Sequence, residues 1–340
     1  MSAGLNPGVC SFAGRCTLAA LPASVPIAPG GISIETGRRE ATLTAENATQ
    51  AEAGIVDVAG AQLRYVIEGH GQPCLVVGSS VCYPRVFSAD LRRHLQLVFV
   101  DLRHFVHPDQ FTSADPSFNA NQITLDTYAD DIEQVRQALG LGDVVVIGHS
   151  IHSLIALEYA RRYPEHVLGV VPIGGVAGTE GDQAATDALW ESAATPERKE
   201  LFARRKAELT PELRASLSPA EYFVRRYVTL GPWYWYDPNI DCSWLWEDVV
   251  PDMPVFDRLN ELFDSYDLAQ GPGEISVPVL IADGRLDFGN PWTNWEAHAH
   301  KLPRHTFAFF DRSAHFPSLE EPDLFDRTLR AWIGELAPNR

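Results

Sequence analysis

Along most of this chain, short apolar runs alternate with segments whose apolar residues recur at helical spacing. "IVDVAG" (Ile55–Gly60) and "LRYVIEG" (Leu63–Gly69) read as two paired strands at a sheet edge. "CLVVG" (Cys74–Gly78) and "QLVFVD" (Gln96–Asp101) are short continuous apolar runs, as expected of strands buried on both faces. "RVFSADLRRHL" (Arg85–Leu95) has helical spacing. "LDTYADDIEQVRQALG" (Leu125–Gly140) is an amphipathic helix with its acids early, an arginine late and a glycine to close it. Next come a strand "DVVVIG", a helix beginning at Ser150, and a strand "VLGVVPIGG". Near the C-terminus follow strand "VPVLIADG", helix "WTNWEAHAHKL", strand "TFAFFD" and helix "DLFDRTLRAWIGEL". Strand and helix alternate almost throughout. That pattern predicts the α/β class, with a mostly parallel central sheet flanked by helices.

Two segments break the pattern. Residues 176–271 contain no convincing strand and read as a series of helices, so an all-helical cap between two strands is expected there. Residues 1–54 are rich in Ala, Gly, Pro, Ser and Thr with little periodicity, and read as an arm that is either flexible or packed on the surface. The core then comprises 55–175 and 272–340.

Composition narrows the function classes. The chain has 340 residues and a formal net charge of -18, a surface that repels phosphate backbones, so no nucleic-acid partner is expected. No apolar run approaches the roughly 20 residues of a membrane helix, so no membrane partner is expected. The five cysteines form no CxxC pair, and no basic stretch precedes "CTLAALPASVPIA". Both features favour a reducing, cytoplasmic location.

Candidate chemistry sits beyond the strand ends. Ser150, in "IGHSIHS", lies between an apolar strand and a helix, where a sharp turn lifts a hydroxyl above the sheet. The Ile151 amide, at the helix start, would then face a substrate oxyanion. The same serine also fits a plain helix N-cap. Asp287 lies in a polar turn just past one strand, and His315 in a loop just past the last. Serine, acid, histidine is the chain order of a hydrolytic triad on an open α/β sheet. In it His315 takes the serine proton and Asp287 fixes the imidazole tautomer. Asp283 is the rival acid. His104, His107, His149, His152 and His315 cluster near this site without metal-ligand spacing, so neither a metal nor a cofactor is expected.

From about residue 55 onward the chain resembles the α/β-hydrolase superfamily. The features that carry the resemblance are Gly148-His149-Ser150, Gly284 to Asp287 with Pro291, and "AHFPSLEEPDLF". Within it the chain is most similar to the capped proline-iminopeptidase-like and ester-hydrolase groups. The resemblance implies an acyl-enzyme on Ser150, and His149 commonly fills this elbow position. It also implies a second oxyanion amide from the loop after the first buried strand. Ser80 is the first choice, with Ser79 and Val81 beside it.

Three departures stand out. His152 takes the place of the second glycine of Gly-x-Ser-x-Gly. "GSSVCYP" (Gly78–Pro84) replaces His-Gly-Gly-Pro-Gly or His-Gly-x-Pro, and His104 replaces a glycine in the Asp-x-Arg-Gly-x-Gly segment.

Residues Gly231–Asp252 are dense in aromatics, and Trp233, Trp235, Tyr236, Trp244, Trp246 and His149 are the candidate substrate-binding residues. The expected partner is a small-molecule substrate, with a homodimer also open. Three readings result: hydrolase of a small, fairly apolar ester or lactone; aminopeptidase for N-terminal proline, its substrate ammonium held by a cap carboxylate such as Glu247 or Asp248; or ligand-binding receptor on the same fold.

Overall fold

Eight strands build one sheet: β1 (Glu52–Val58), β2 (Ala61–Gly69), β3 (Gln72–Gly78), β4 (Leu95–Asp101), β5 (Val144–His149), β6 (Val167–Ile173), β7 (Val279–Gly284) and β8 (His305–Phe310). Their spatial order is β1-β2-β4-β3-β5-β6-β7-β8. β2 pairs antiparallel with both β1 and β4, and the ladders from β4 to β8 are parallel. These features come from a computed structural model that describes residues 51–178, 182–269 and 274–336. The expected N-terminal arm lies outside the described residues except for its last four, of which Glu52–Gly54 open β1. Among the described residues, no helix is long and apolar enough to cross a membrane.

Burial explains the apolar runs. Every residue of β5 and β7 is buried, because helices cover both faces of the sheet. α1 (Leu125–Ala138) and α2 (His152–Arg162) pack together beside the central strands. The Thr124 hydroxyl accepts the Thr127 amide and so fixes the start of α1.

Between β6 and β7 the described chain is helical: α3 (Asp182–Ala193), α4 (Pro196–Glu208), α5 (Pro211–Ser216), α6 (Pro219–Thr229), α7 (Gly231–Tyr234) and α8 (Met253–Asp264). Helices α4 to α6 share one starting device. The hydroxyls of Thr195, Thr210 and Ser218 each accept the amide three residues on, and a proline follows each hydroxyl residue. α9 (Thr293–His298), α10 (Pro317–Glu320) and α11 (Pro322–Leu336) complete the chain.

One expected helix is absent. "RVFSADLRRHL" forms only two short 3-10 turns, Tyr83–Arg85 and Leu91–Arg93, with no α-helix between them. The Arg92 guanidinium donates to the carbonyls of Pro84, Phe87 and Ser88 at 2.7–2.8 Å. Those are oxygens that helix amides would otherwise claim, and the Ser88 hydroxyl takes the Leu91 amide. The side chains supply what the helix would have supplied.

β4 lies on one side of β3 and β5 on the other, so the chain reverses its direction of winding there. The crevice beyond the carboxyl ends of β3 and β5 is where open α/β sheets bind ligands.

Candidate active site

Ser150 occupies that crevice in a strained turn. Its φ is +56°, a left-handed conformation that non-glycine residues adopt at a cost of about 1–3 kcal/mol. The Ser150 amide donates to the Ile173 carbonyl at 2.8 Å, pinning the turn to β6. α2 begins only at His152, so Ser150 is not the N-cap, whose backbone would be extended. The turn requires Gly148, since a Cβ there would lie 2.4 Å from the His152 carbonyl oxygen.

His152 fits where a glycine is usual because β3 makes room. A Cβ on Gly78 would lie 2.9 Å from His152 Nδ1 and 2.2 Å from the Tyr83 ring. Glycine at position 78 thus leaves on β3 the space that the His152 ring and Tyr83 occupy.

Asp287 follows β7 and His315 follows β8, and both are fully or almost fully buried. His315 Nδ1 and Asp287 Oδ2 are 2.6 Å apart. Asp287 Oδ1 accepts the amides of Gly289 and Asn290 at 3.0 and 2.9 Å, which fixes the carboxylate plane. Burial pushes the His315 imidazole down to about 3, so it is neutral at physiological pH. Asp283 is also fully buried but makes no hydrogen bond to His315. Burial first, and the charge of Asp287 second, raise its carboxyl well above the usual range.

The histidine loop is held from the helical segment between β6 and β7. His315 donates its amide to the Tyr234 carbonyl at 3.1 Å. The carboxylate of Glu320 accepts the amides of Tyr236, Ala314 and Phe316, at 2.6, 2.8 and 3.4 Å. Glu320→Ala leaves these amides without that partner and is expected to cost about 3 kcal/mol in denaturant unfolding. A cost under about 0.5 kcal/mol would mean the carboxylate does not hold the loop.

Ser150, Ile151 and His315 line one small cavity, roofed by Tyr227, Trp246 and Phe256 from the helical segment. It leaves about 20 Å³ for the centre of a water-sized sphere, which is room for one water. A substrate larger than that needs lining side chains to move. A larger groove of about 520 Å³ lies on the outer face of the histidine loop and touches neither Ser150 nor His315.

The structure redistributes the expected binding residues. Trp246 and His149 do line the cavity. Trp233 is instead packed against Trp190, Phe202 and Phe288, and Trp235 stacks on Phe316 at 4.7 Å. Tyr236 and Trp244 are exposed, Tyr236 facing the outer groove. Two of those aromatics are packed away from the cavity and two face solvent.

The amide expected as the second oxyanion donor, that of Ser80, is not free. The Ser80 amide donates to the Asp101 carboxylate at 2.5 Å, so it is taken. Ser79 lines the cavity, and among the described residues its amide and that of Ile151 have no hydrogen-bond partner. Tyr83, Phe105, Tyr227 and Phe256 line the cavity unforeseen from the sequence. They come from four separate segments, and no local pattern joins them.

Comparison with known proteins agrees with this architecture. A family model described as alpha/beta hydrolase fold matches residues 73–322. The AB hydrolase superfamily protein YclE of Bacillus subtilis is 35% identical over 286 residues, spanning 83% of this chain and 99% of that protein. A proline iminopeptidase of Heyndrickxia coagulans is 24% identical over 292 residues, spanning 79% and 94%. The crystal structure of VinJ superposes with a TM-score of 0.63 at 17% identity, covering 84% of this chain and 99% of that one.

Proposed function

The chain belongs to the alpha/beta hydrolase fold family, and we propose that within it the protein is a serine hydrolase of a small, uncharged, fairly apolar carboxylic ester or lactone. The observation that carries this reading is the cavity wall. Around Ser150 it is built from aromatic, aliphatic and small polar side chains and three imidazoles, with no carboxylate, lysine or arginine among the lining residues.

In this reading Ser150 Oγ attacks the substrate carbonyl carbon while His315 Nε2 takes the hydroxyl proton. The carbonyl oxygen becomes an oxyanion beside the Ile151 and Ser79 amides. Its collapse expels the alcohol, which leaves with the proton from His315. A water then loses a proton to His315 and adds to the acyl-enzyme, and His315 returns that proton to Ser150 Oγ as the acid leaves. Asp287 holds the proton on Nδ1 throughout, so Nε2 is the basic nitrogen.

The aminopeptidase reading needs a carboxylate for the substrate ammonium. Glu247 and Asp248 are both exposed and outside the cavity wall, so the expected cap carboxylates are not in place. The receptor reading needs no strained serine turn and no buried Asp–His pair. Turnover of p-nitrophenyl esters and simple lactones, measured beside a proline arylamide, tests the choice. Esters or lactones are expected to react and the arylamide to stay intact; the reverse would overturn the proposal.

A pH profile tests the role of His315. The base works only when neutral, and burial lowers its pKa, so the acid limb of kcat/KM is expected well below the ordinary histidine value of about 6.5. Activity should be level from pH 8 to below 6. A limb centred at or above about 6.5 would show that His315 is not the titrating base.

A further inference from the structure

The three departures from the family pattern meet at one place. His152, His104 and Tyr83 form a buried hydrogen-bonded chain beside the serine turn. His104 Nε2 lies 2.9 Å from His152 Nε2, and the two rings stack with centroids 5.1 Å apart. His152 Nδ1 lies 2.6 Å from the Tyr83 hydroxyl. At the far end, the Tyr128 hydroxyl lies 3.4 Å from His104 Nδ1.

The direction of this chain follows from its ends. Tyr128 is fully buried, and among the described residues its hydroxyl has His104 Nδ1 as its hydrogen-bond partner. A buried hydroxyl left without an acceptor is costly, so Tyr128 donates to His104 Nδ1. Burial lowers the pKa of both imidazoles, and each carries a single proton. His104 Nε2 then donates to His152 Nε2, and His152 Nδ1 donates to the Tyr83 oxygen. At the other end, His149 Nε2 lies 2.8 Å from the His315 carbonyl oxygen and must donate to it. His149 is held neutral as well, so its Nδ1 is bare and accepts. The Tyr83 oxygen thus receives one hydrogen bond and keeps its own proton to give. In the resting site that proton has two long acceptors, His149 Nδ1 and the His149 carbonyl at 3.4 Å each, as long as the Tyr128–His104 contact, and a substrate oxygen placed nearer would take it from them.

The side of the serine turn on which that hydroxyl lies follows from the backbone. Across the trans peptide joining His149 to Ser150, the N–H and C=O point in opposite directions. The Ser150 amide points to β6, so the His149 carbonyl, and the Tyr83 hydroxyl beside it, lie on the β3 side. His315 and Asp287 follow β8 and β7, beyond β6 on the other side. Tyr83 lines the same cavity as Ser150 and Ile151. We infer that the Tyr83 hydroxyl is a catalytic residue, donating a hydrogen bond to the reacting carbonyl oxygen beside the Ile151 and Ser79 amides, and that His152, His104 and Tyr128 are positioning residues that keep it in the donating state.

The inference rests on the serine-hydrolase reading, and the test separates the two. Wild type, Tyr83→Phe, Tyr128→Phe and Ser150→Ala are compared by the rate of labelling with a fluorophosphonate, read by intact mass, and by kcat and KM for p-nitrophenyl acetate. Tyr83→Phe keeps the ring and its packing. It is expected to lower kcat and the labelling rate by about 10²-fold with KM little changed, and to lower the thermal midpoint because the buried His152 Nδ1–H loses its acceptor. Tyr128→Phe, which touches no substrate, should lower kcat and the labelling rate by less and leave KM alone. Tyr83→Phe within threefold of wild type, while Ser150→Ala takes no label, overturns the role of Tyr83 and leaves the serine hydrolase standing. A KM rise without a kcat fall in Tyr83→Phe also overturns it. Wild type that takes no label, or Ser150→Ala that turns over substrate, overturns the hydrolase reading and the inference with it.

Discussion

Replacing Ser150 with alanine is expected to lower kcat by about 10⁴-fold or more, with folding stability unchanged. The size follows from what alanine lacks. Without Oγ no acyl-enzyme forms, and only the oxyanion donors and substrate positioning remain. The unchanged stability follows from the geometry. Among the described residues the Ser150 hydroxyl has no hydrogen-bond partner, so its removal leaves no buried group unpaired. Alanine and serine bear the left-handed φ of +56° at similar cost. Turnover and thermal unfolding measured on the same preparation check both halves. Retention of more than a few per cent of activity would end the assignment of Ser150 as nucleophile.

Asp287→Asn is expected to lower kcat by about 10⁴-fold, with the site otherwise in place. The carboxamide oxygen of the variant can still accept the amides of Gly289 and Asn290, which lie 3.0 and 2.9 Å from Asp287 Oδ1 in the native site. Its NH₂ group then faces His315 Nδ1 and donates to it. That forces the imidazole proton to Nε2, where a base must be bare. Asp283→Asn is the control. Burial raises the Asp283 carboxyl well above its usual range, and the group makes no hydrogen bond to His315. Its replacement by an uncharged side chain of the same shape should change kcat by only a few-fold. Equal losses in the two variants would mean that the pair of acids works as a unit, contrary to the single His315–Asp287 contact of 2.6 Å.

The large elements were legible because their causes are local. β3, β4, β5 and β7 are runs of apolar residues with no polar face, and only a strand covered on both sides tolerates that. Thr195, Thr210 and Ser218 with their prolines mark helix starts within four residues of sequence. Arg85–Leu95 read as a helix because spacing alone cannot reveal that Arg92 occupies the carbonyls a helix needs. Ser150, Asp287 and His315 were legible for a related reason. Each stands one turn beyond a recognisable strand, and the chain order of the three is itself a pattern.

The cavity wall was not legible. Trp233, Trp235, Tyr236 and Trp244 looked alike in sequence to Trp246, and only Trp246 reaches the cavity. Aromatic density marks apolar surface to be buried, but the packing of the helical segment on the sheet decides which ring faces which side. Sequence favours Ser80 over Ser79 and Val81 as the loop's donor, and the tertiary structure rules against Ser80 because the Asp101 carboxylate holds its amide.

The sequence by itself determined the sheet, the strained serine turn and the residues that follow the strand ends, because each depends on a few neighbouring side chains and on backbone sterics. Only the tertiary structure decided that Gly78, Tyr83, His104, Tyr128 and His152 form one buried assembly. They come from four segments of the chain, and their meaning lies in distances of 2.6–3.4 Å that no spacing along the sequence encodes.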